Sequence, residues 1–262
     1  MNVNYLIANA EVGAALTVQS EEDPVEMITV RASGLISARN IANAVVSREI
    51  SYDLLRVILV SEELAKKENF IRLIYGAMKD KDIRRNTYLV VTKEKTSEFF
   101  AKNDPKMETR PHKFYQYMIE RGSQTGLIPS SELQHFFRIT EEDANAFLAI
   151  YATTTQDEKA NEEHRENELD FLAGDVKLKG RTNASQFMGS AVLLEGKMIG
   201  TLTGQETRVA MMLNGRVKIP DILTTLTDPF NEKYQLTLRL NKYEKNKIKM
   251  NLEKDRPRID LT

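Results

Sequence analysis

The sequence predicts a modular protein of the α+β or mixed α/β class, with a βαβ unit in its first half and a partial antiparallel β meander at its C-terminal end. Three observations carry this prediction. The 262 residues are 41% hydrophobic and 29% charged, which is enough apolar content for about two folded domains. Two short apolar runs, 54–60 and 87–92, flank a stretch with helical periodicity. From Tyr234 onward, apolar and charged residues alternate, as in a sheet with one solvated face.

An N-terminal module is predicted for residues 1–125. Its first strands are predicted at 5–18 and 27–30, and Ser37 is the predicted N-cap of a helix that runs to Arg48. The apolar face of this helix is predicted from residues at helical spacing, which are Ile41, Ala44 and Val45.

The βαβ unit has the clearest pattern in this module. Leu54–Val60 is typical of a buried strand, and Ser61 follows it directly. Ser61 is predicted to cap one long helix that reaches Met78 and has acidic residues in its first turn, where they are stabilised by the helix dipole. Thr87–Thr92 is the next predicted strand. Strand, helix and strand in this order favour a parallel pair of strands.

A second, smaller α/β module is predicted for residues 126–218. Two strands, 187–194 and 197–202, flank a hairpin turn at Glu195-Gly196, because glycine tolerates the positive φ of such turns. The acidic stretch 156–170 has almost no apolar residues. We interpret it as an exposed, mobile linker.

An incomplete C-terminal β domain is predicted for residues 219–262. Its strands are predicted at Tyr234–Leu240, Lys247–Leu252 and Arg258–Leu261. Their alternation gives the sheet one apolar face, and such a face needs a covering layer. We therefore expect these strands to be covered by the preceding modules or by another copy of the chain, or to be the least protected part of the fold.

Composition excludes several function classes. Lys and Arg number 37 against 38 Asp and Glu, and a net charge of −1 gives no general attraction for nucleic acid, so no nucleic-acid partner is predicted. The absence of cysteine excludes disulfides, thiol nucleophiles and thiolate metal sites. The apolar runs are far shorter than the ~20 residues of a membrane-spanning helix, and no signal peptide is visible.

The sequence lacks the patterns that catalysis and cofactor binding require. It contains neither a Gly-rich phosphate loop nor a Gly-x-Ser-x-Gly motif. The three histidines, His112, His135 and His164, fall in different predicted elements, and none has a partner at metal-ligand spacing. We therefore predict no catalytic residue, no cofactor and no metal site.

The segment 200–208 can be interpreted in two ways. Thr203 and Glu206 have the spacing of a capping box, in which each side chain bonds to the backbone N–H of the other residue. The segment then only begins a helix. Alternatively it forms an interaction surface, because Gly204 lets another backbone approach closely. The residues assigned to that surface are Gly200, Leu202, Gly204, Glu206, Thr207 and Arg208.

Two blocks of sequence are similar to one protein family. The first contains Ser-Glu-Glu-Leu-Ala at 61–65 and Ile-Arg-Arg-Asn-Thr-Tyr-Leu at 83–89. The second contains Gly-Ser-Ala-Val at 189–192 and Gly-Thr-Leu-Thr-Gly-Gln-Glu-Thr-Arg at 200–208. In this order and at this separation, the blocks resemble the Ger(x)C family of spore germination proteins, which are the C subunits of nutrient germinant receptors. The resemblance covers most of the chain.

The resemblance implies a non-catalytic receptor subunit. Members of the family are lipoproteins at the outer face of the spore inner membrane, where they assemble with two membrane-embedded subunits. It also implies that the family's last domain continues beyond Thr262 and that a lipid-modified N-terminal cysteine precedes the fold. Neither is present here, so we expect a trimmed or shortened member that is soluble on its own.

A different function class stays open on the residues alone. Sheets of the α/β type commonly bind ligands at the C-terminal ends of their parallel strands. A soluble enzyme or small-ligand-binding protein could therefore have its site at the ends of strands 54–60 and 87–92, where the sequence offers Ser61, Glu62 and Lys93. A pocket with converging titratable groups at that place would favour this alternative.

Overall fold

The computed structural model describes most of the chain, with gaps. The described residues are 2–8, 25–46, 49–53, 55–103, 105, 111–141, 146–156, 170–180, 183–213, 221–227, 229–230, 232–239, 249–251 and 258–260. The predicted acidic linker lies outside these ranges except for its end residues Gln156 and Asp170, so its exposure stays a prediction.

Helices and short strands alternate along the first part of the described chain. The strands are β1 (Asn2–Ala8), β2 (Val25–Arg31), β3 (Val57–Ser61), β4 (Tyr88–Thr92), β5 (Ala146–Thr153), β6 (Gln186–Leu194), β7 (Lys197–Leu202), β8 (Asp221–Thr227), β9 (Lys233–Arg239), β10 (Lys249–Asn251) and β11 (Arg258–Asp260). The helices are α1 (Leu35–Ala42), α2 (Glu62–Ala65), α3 (Phe70–Ile74), α4 (Gly76–Lys79), α5 (Thr96–Lys102), α6 (Pro111–Thr125), α7 (Leu133–Glu141) and α8 (Gly204–Leu213).

Five strands form one mixed sheet in the order β3-β4-β5-β6-β7. β3 and β4 are parallel, with Val57 beside Tyr88, and β5 adds in parallel to β4, with Ile150 beside Val90. β6 and β7 continue the sheet in antiparallel pairing. The predicted mixture of helices and strands and the predicted parallel pair are confirmed.

The predicted modules 1–125 and 126–218 share this sheet, because β4 and β5 lie on either side of residue 125 and pair directly. They could be separate folding units only if the sheet divides between these two strands. The boundaries at 125 and 218 stay a prediction.

The strands β4 and β5 are buried on both faces of the sheet. In β4 the side chains of Leu89, Val90 and Val91 are all 0% exposed, yet they belong to two different apolar clusters. Leu89 and Val91 point to one face and Val90 to the other, because successive side chains of a strand alternate. In β5, Phe147, Ala149 and Tyr151 belong to the first cluster, and Ile150 and Ala152 belong to the second. A strand with no solvated face needs a continuous apolar run, and this is the pattern that the sequence shows.

Each face has its own helical layer. One cluster contains Phe70 of α3 and Phe136 of α7, with ring centroids 6.2 Å apart. The other contains Phe99 of α5 together with Tyr115 and Ile119 of α6. A fully buried Phe or Ile stabilises the fold by about 1.5–3 kcal/mol. The two layers therefore hold the helices on the sheet far more strongly than helix propensity does.

Helix α1 is tied to this core by a partly buried ionic contact. Arg39 Nη1 lies 3.2 Å from a carboxylate oxygen of both Asp80 and Asp82, and the Asp80 side chain is only 4% exposed. The hydrogen-bond geometry is met by Asp82, so the pairing of Asp80 is electrostatic. The Arg39 guanidinium also lies over the Tyr52 ring, 4.9 Å from its centroid. Removing Arg39 would leave the Asp80 carboxylate buried without a countercharge.

Helix α1 differs from its prediction. Its N-cap is Gly34, and Ser37 lies inside the first turn, where its hydroxyl accepts a hydrogen bond from the Gly34 N–H (3.2 Å). The predicted apolar face is also wrong, because Ala38 and the last residue, Ala42, are buried while Ile41 is 44% exposed and Val45, beyond the helix, is 74% exposed. Because its buried side chains are small, this helix lies close to β2 and α4. The pattern of hydrophobic residues in a sequence does not show how closely a helix packs.

The single helix predicted from Ser61 to Met78 is wrong in its continuity. It divides into the short helices α2, α3 and α4, which place Ala65, Phe70 and Ile74 in the same core cluster. Three short helices can each turn a side chain towards the sheet, whereas a straight helix would follow a single line across it.

The C-terminal strands pair differently from the predicted meander. β9 pairs with β8, a strand that the sequence analysis did not predict, and β10 pairs with β11. The strands described in this region therefore form two separate two-stranded sheets. Alternate residues of β9 are exposed apolar side chains, which are Tyr234, Leu236 and Leu238.

We predict that Gly189→Ala strongly destabilises the protein. Gly189 has a φ of +78°, and a Cβ atom there would lie 2.3 Å from the Leu202 carbonyl oxygen and 2.7 Å from Leu172 Cδ1. Backbone strain of about 1–2 kcal/mol and a clash of similar size should together lower the free energy of unfolding by about 3 kcal/mol in urea denaturation.

Gly180→Ala is the matched control. Gly180 has a φ of +96°, but no atom lies within 4 Å of its Cβ position. It should lose only the strain energy of about 1–2 kcal/mol. Equal losses in the two variants would contradict the close approach of β7 to Gly189.

Candidate functional site

The C-terminal ends of the parallel strands bring together the polar residues of the alternative hypothesis. Ser61 ends β3, and Lys93 follows β4 directly. The Ser61 hydroxyl accepts a long hydrogen bond from the Leu64 N–H (3.4 Å), which confirms its predicted role as the N-cap of α2. Glu62 begins that helix. The three residues therefore lie at one edge of the sheet, as the parallel pairing requires.

Glu62 is held by neighbouring side chains. The Tyr151 hydroxyl donates to Glu62 Oε2 (2.5 Å), and Lys66 pairs with Glu62 Oε1 one helical turn away. Burial raises the pKa of the Glu62 carboxyl, but the bonds from Lys66 and Tyr151 and the charge of Lys93 outweigh it and lower the pKa below its usual value. A carboxyl that acts as general acid or base near neutral pH needs a shift in the opposite direction. This arrangement stabilises the edge of the sheet.

Glu94 accepts three hydrogen bonds at this edge, a role that the sequence analysis did not predict. Its carboxylate accepts hydrogen bonds from the Thr153 hydroxyl (2.6 Å), the Thr154 N–H (2.6 Å) and the Thr154 hydroxyl (2.5 Å). These bonds connect the end of β4 with the end of β5. No local pattern predicts a contact between residues sixty positions apart.

The order of the strands also argues against a ligand crevice here. In open α/β sheets, ligands bind where the strand order reverses direction. The parallel strands β3, β4 and β5 follow one another in space without a reversal. Ser61, Glu62 and Lys93 are thus brought together as predicted, but at an edge that lacks the usual topology of a binding site.

The segment 200–208 forms the capping box that its spacing predicts. The Glu206 N–H donates to Thr203 Oγ1 (3.3 Å), and the Thr203 N–H donates to Glu206 Oε2 (2.8 Å). These two bonds satisfy backbone donors at the start of α8.

Three residues of the segment point into the fold. Thr207 and Ser190 of β6, both fully buried, share a hydrogen bond of 2.9 Å. Arg208 Nε donates to the Thr125 carbonyl (2.9 Å), which joins α8 to the end of α6. Gly204 is buried, and its N–H donates to the Phe171 carbonyl (2.8 Å). These contacts fix α8 on the sheet.

The remaining residues of the segment are more accessible. Glu206 is exposed, Leu202 is half-buried, and no atom lies within 4 Å of the Cβ position of Gly200. An interaction role for the segment stays a prediction, and it can involve only this outer part directly.

The two histidines within the described residues lie in different helices. His112 lies in α6 and His135 lies in α7. The ring centroids of His135 and Phe147 are 5.9 Å apart. His164 is outside the described residues. Within the described ranges, no group of three or more His, Cys, Asp or Glu residues could hold a metal ion, and no helix is long and apolar enough to cross a membrane.

Glu94→Gln should destabilise the protein although it preserves the shape of the side chain. An amide has one acceptor oxygen in place of two and carries no charge, so it cannot replace all three bonds. We expect the free energy of unfolding to fall by about 1–3 kcal/mol. The control Glu98→Gln, at an exposed position of α5, should change it by less than about 0.5 kcal/mol. Equal stability of the two variants would show that the Glu94 contacts are unimportant.

Thr203→Ala should cost about 1 kcal/mol, because it removes the cap of α8. Thr201→Ala, at an exposed position of the edge strand β7, is the control and should cost less than about 0.5 kcal/mol. Thermal unfolding measures both. If Thr203→Ala leaves stability unchanged while spores that carry it no longer germinate, the capping interpretation is wrong and the segment is a contact surface.

Comparison with known proteins gives two family matches. The family model for the spore germination protein N-terminal domain matches residues 1–153, and the model for the spore germination B3/GerAC-like C-terminal domain matches residues 188–262. The first match ends with the last residue of β5 and the second begins within β6. The two matched segments therefore meet in the antiparallel pairing of β5 and β6.

Among solved structures, the crystal structure of the GerBC protein is similar to this chain, with 15% sequence identity and a TM-score of 0.43 over 98% of this chain and 68% of that chain. The comparison with curated proteins found no match. The first family match alone spans more than half of the 262 residues. The chain therefore belongs to the GerAC-like family of spore germination proteins, the Ger(x)C family that its sequence resembles.

Proposed function

We propose that this protein is a non-catalytic subunit of a spore nutrient germinant receptor. It acts in germination as an assembly or signalling component at the outer face of the spore inner membrane. The observation that carries the proposal is the pair of family matches, which extend over the α/β core and the C-terminal strands together.

The contacts at the sheet edge support a non-catalytic role. Catalysis needs titratable groups that are available to a substrate and have suitable pKa values. Glu62 is bound by Lys66 and Tyr151. Burial raises the pKa of the Glu62 carboxyl, but these bonds and the charge of Lys93 outweigh burial, so the pKa is lowered. Glu94 accepts three hydrogen bonds. The charged groups that an enzyme would use here hold the strand ends in place.

The proposed partners are the two membrane-embedded subunits of the receptor. The resemblance implies that members of the family attach to the membrane through a lipid on an N-terminal cysteine. We propose that contacts with the partner subunits hold this fold at the membrane surface.

Deletion of the gene in its spore-forming host should abolish the germination response to at least one nutrient, while spores still form. An affinity-tagged, membrane-anchored copy should restore the response and co-purify with two multi-span membrane proteins. A normal response in the deletion strain to every nutrient would contradict the proposed function.

A double substitution tests the non-catalytic role in the same strain. Ser61→Ala with Glu62→Gln removes two of the three side-chain groups that the enzyme hypothesis offers at the sheet edge. Germination rates should stay within about twofold of the wild type when protein levels are equal. The two substitutions lower the free energy of unfolding by only about 1 kcal/mol and remove no group that the receptor role needs. A complete loss of germination at a normal protein level would support chemistry at this edge.

A further inference from the structure

A polar groove of about 910 Å³ lies at the opposite end of β4 from Glu62 and Glu94. Tyr88, the first residue of β4, lines it together with α6 and α7. On α6 the lining positions follow i, i+3 and i+4 spacing, so they form one face of the helix. The lining residues of the two helices are Glu120, Ser123, Gln124, Gln134, His135 and Arg138.

Backbone contacts fix the walls of the groove. The Leu89 N–H donates to the Ser131 carbonyl (2.8 Å), and the Leu133 N–H donates to the Thr87 carbonyl (2.9 Å). The segment before α7 therefore runs antiparallel beside the start of β4. Behind the α6 wall, Ile119 is fully buried. Walls that are already ordered reduce the entropy lost on binding.

The groove contains two carboxylates, and each accepts a hydrogen bond from a side-chain amide. Glu120 accepts a hydrogen bond from the Gln116 amide (2.8 Å), and Glu132 accepts one from the Gln134 amide (2.6 Å). An amide satisfies a carboxylate oxygen without cancelling its charge. Burial, followed by the charges of Glu132 and Glu120, raises the pKa of the Tyr88 phenol, although the charge of Arg56 acts in the opposite direction.

The same groove contains positive charge. Arg138 of α7 is exposed, and its Nη2 atom lies 2.9 Å from Nδ1 of His135. Arg85 is also exposed, and its carbonyl accepts a hydrogen bond from the Gln134 N–H (3.1 Å), which places it at the start of α7. A partner that matches the groove must therefore present both signs of charge.

We propose that this groove binds an extended polypeptide segment of a membrane-embedded receptor subunit, with a basic side chain against Glu120 and Glu132 and an acidic side chain against Arg85 and Arg138. The proposal rests on the proposed function, since it takes the segment from a receptor partner.

The lining of the groove favours a polypeptide over a small ligand. Small-molecule sites bury most of the ligand and are lined mainly by apolar side chains. Here the lining residues are mostly polar or charged, and Glu120, Gln124 and Arg138 are exposed. Complementary charges at an exposed surface provide specificity and faster association between proteins. A polyanion such as nucleic acid would be repelled by the carboxylates of Glu120 and Glu132.

The test uses the tagged, membrane-anchored protein in spores. Glu120→Lys with Glu132→Lys reverses the negative charges of the groove. Co-purification of the membrane-embedded subunits should fall by about tenfold at moderate salt. The matched control, Glu63→Lys with Glu98→Lys, makes the same change in net charge on α2 and α5 and should reduce co-purification less than about twofold. Circular dichroism checks that both variants fold.

Arg85→Glu with Arg138→Glu, at two exposed positions, gives an independent second variant and should show the same loss. A photo-cross-linking residue at Gln124 should also attach to a charged segment of a receptor subunit, which mass spectrometry identifies.

If the wild type fails to co-purify with these subunits, the proposed function fails and the groove proposal fails with it. If the wild type and both groove variants co-purify equally, only the groove proposal is wrong. Loss of the nutrient response with unchanged co-purification would indicate a small ligand in the groove and also overturn the proposal.

Discussion

Burial of the β4 and β5 side chains on both faces of the sheet is the interaction on which this fold is built. Leu89 and Val91 contact one helical layer and Val90 the other, and none of them is accessible to water. A strand in this position cannot move without exposing apolar surface on two sides, at about 25 cal/mol per Å². The helices must therefore remain in register with the sheet on both faces.

The polar residues near the sheet serve this same requirement. Glu94 connects the ends of β4 and β5, and Thr207 and Ser190 place a hydrogen bond where α8 covers β6. A buried polar group is tolerated only when it is paired, so each of these contacts also specifies one arrangement of the helices. What remains available for function is the outer surface, which suits a subunit of a larger assembly.

The sequence predicts those parts of the fold that local patterns determine. The apolar runs of β3 and β4, the cap at Ser61 and the capping box of Thr203 and Glu206 all depend on neighbouring residues, and all are confirmed. Other features depend on residues far away in the chain. Helix α1 buries Ala38 and Ala42 because of what packs on it, so the hydrophobicity of Ile41 was misleading.

The candidate sites show the same division. The sequence placed Ser61, Glu62 and Lys93 at one edge, but the bond from Tyr151 to Glu62 joins residues 89 positions apart and could not be predicted. The groove is likewise assembled from α6, α7 and β4, whose lining residues carry no common motif. Sequence patterns identify such side chains singly, and only the fold decides which of them meet.

Native-state hydrogen exchange measures whether the two-sided core makes β3 to β7 one cooperative sheet. The amides of Val90, Ile150 and Ala191, which lie in three neighbouring strands, should exchange with the same opening free energy, equal to that of global unfolding. If Ala191 in β6 exchanged through a separate opening of clearly lower free energy than Val90 in β4, the sheet would consist of independent units, and burial on both faces would not make it cooperative.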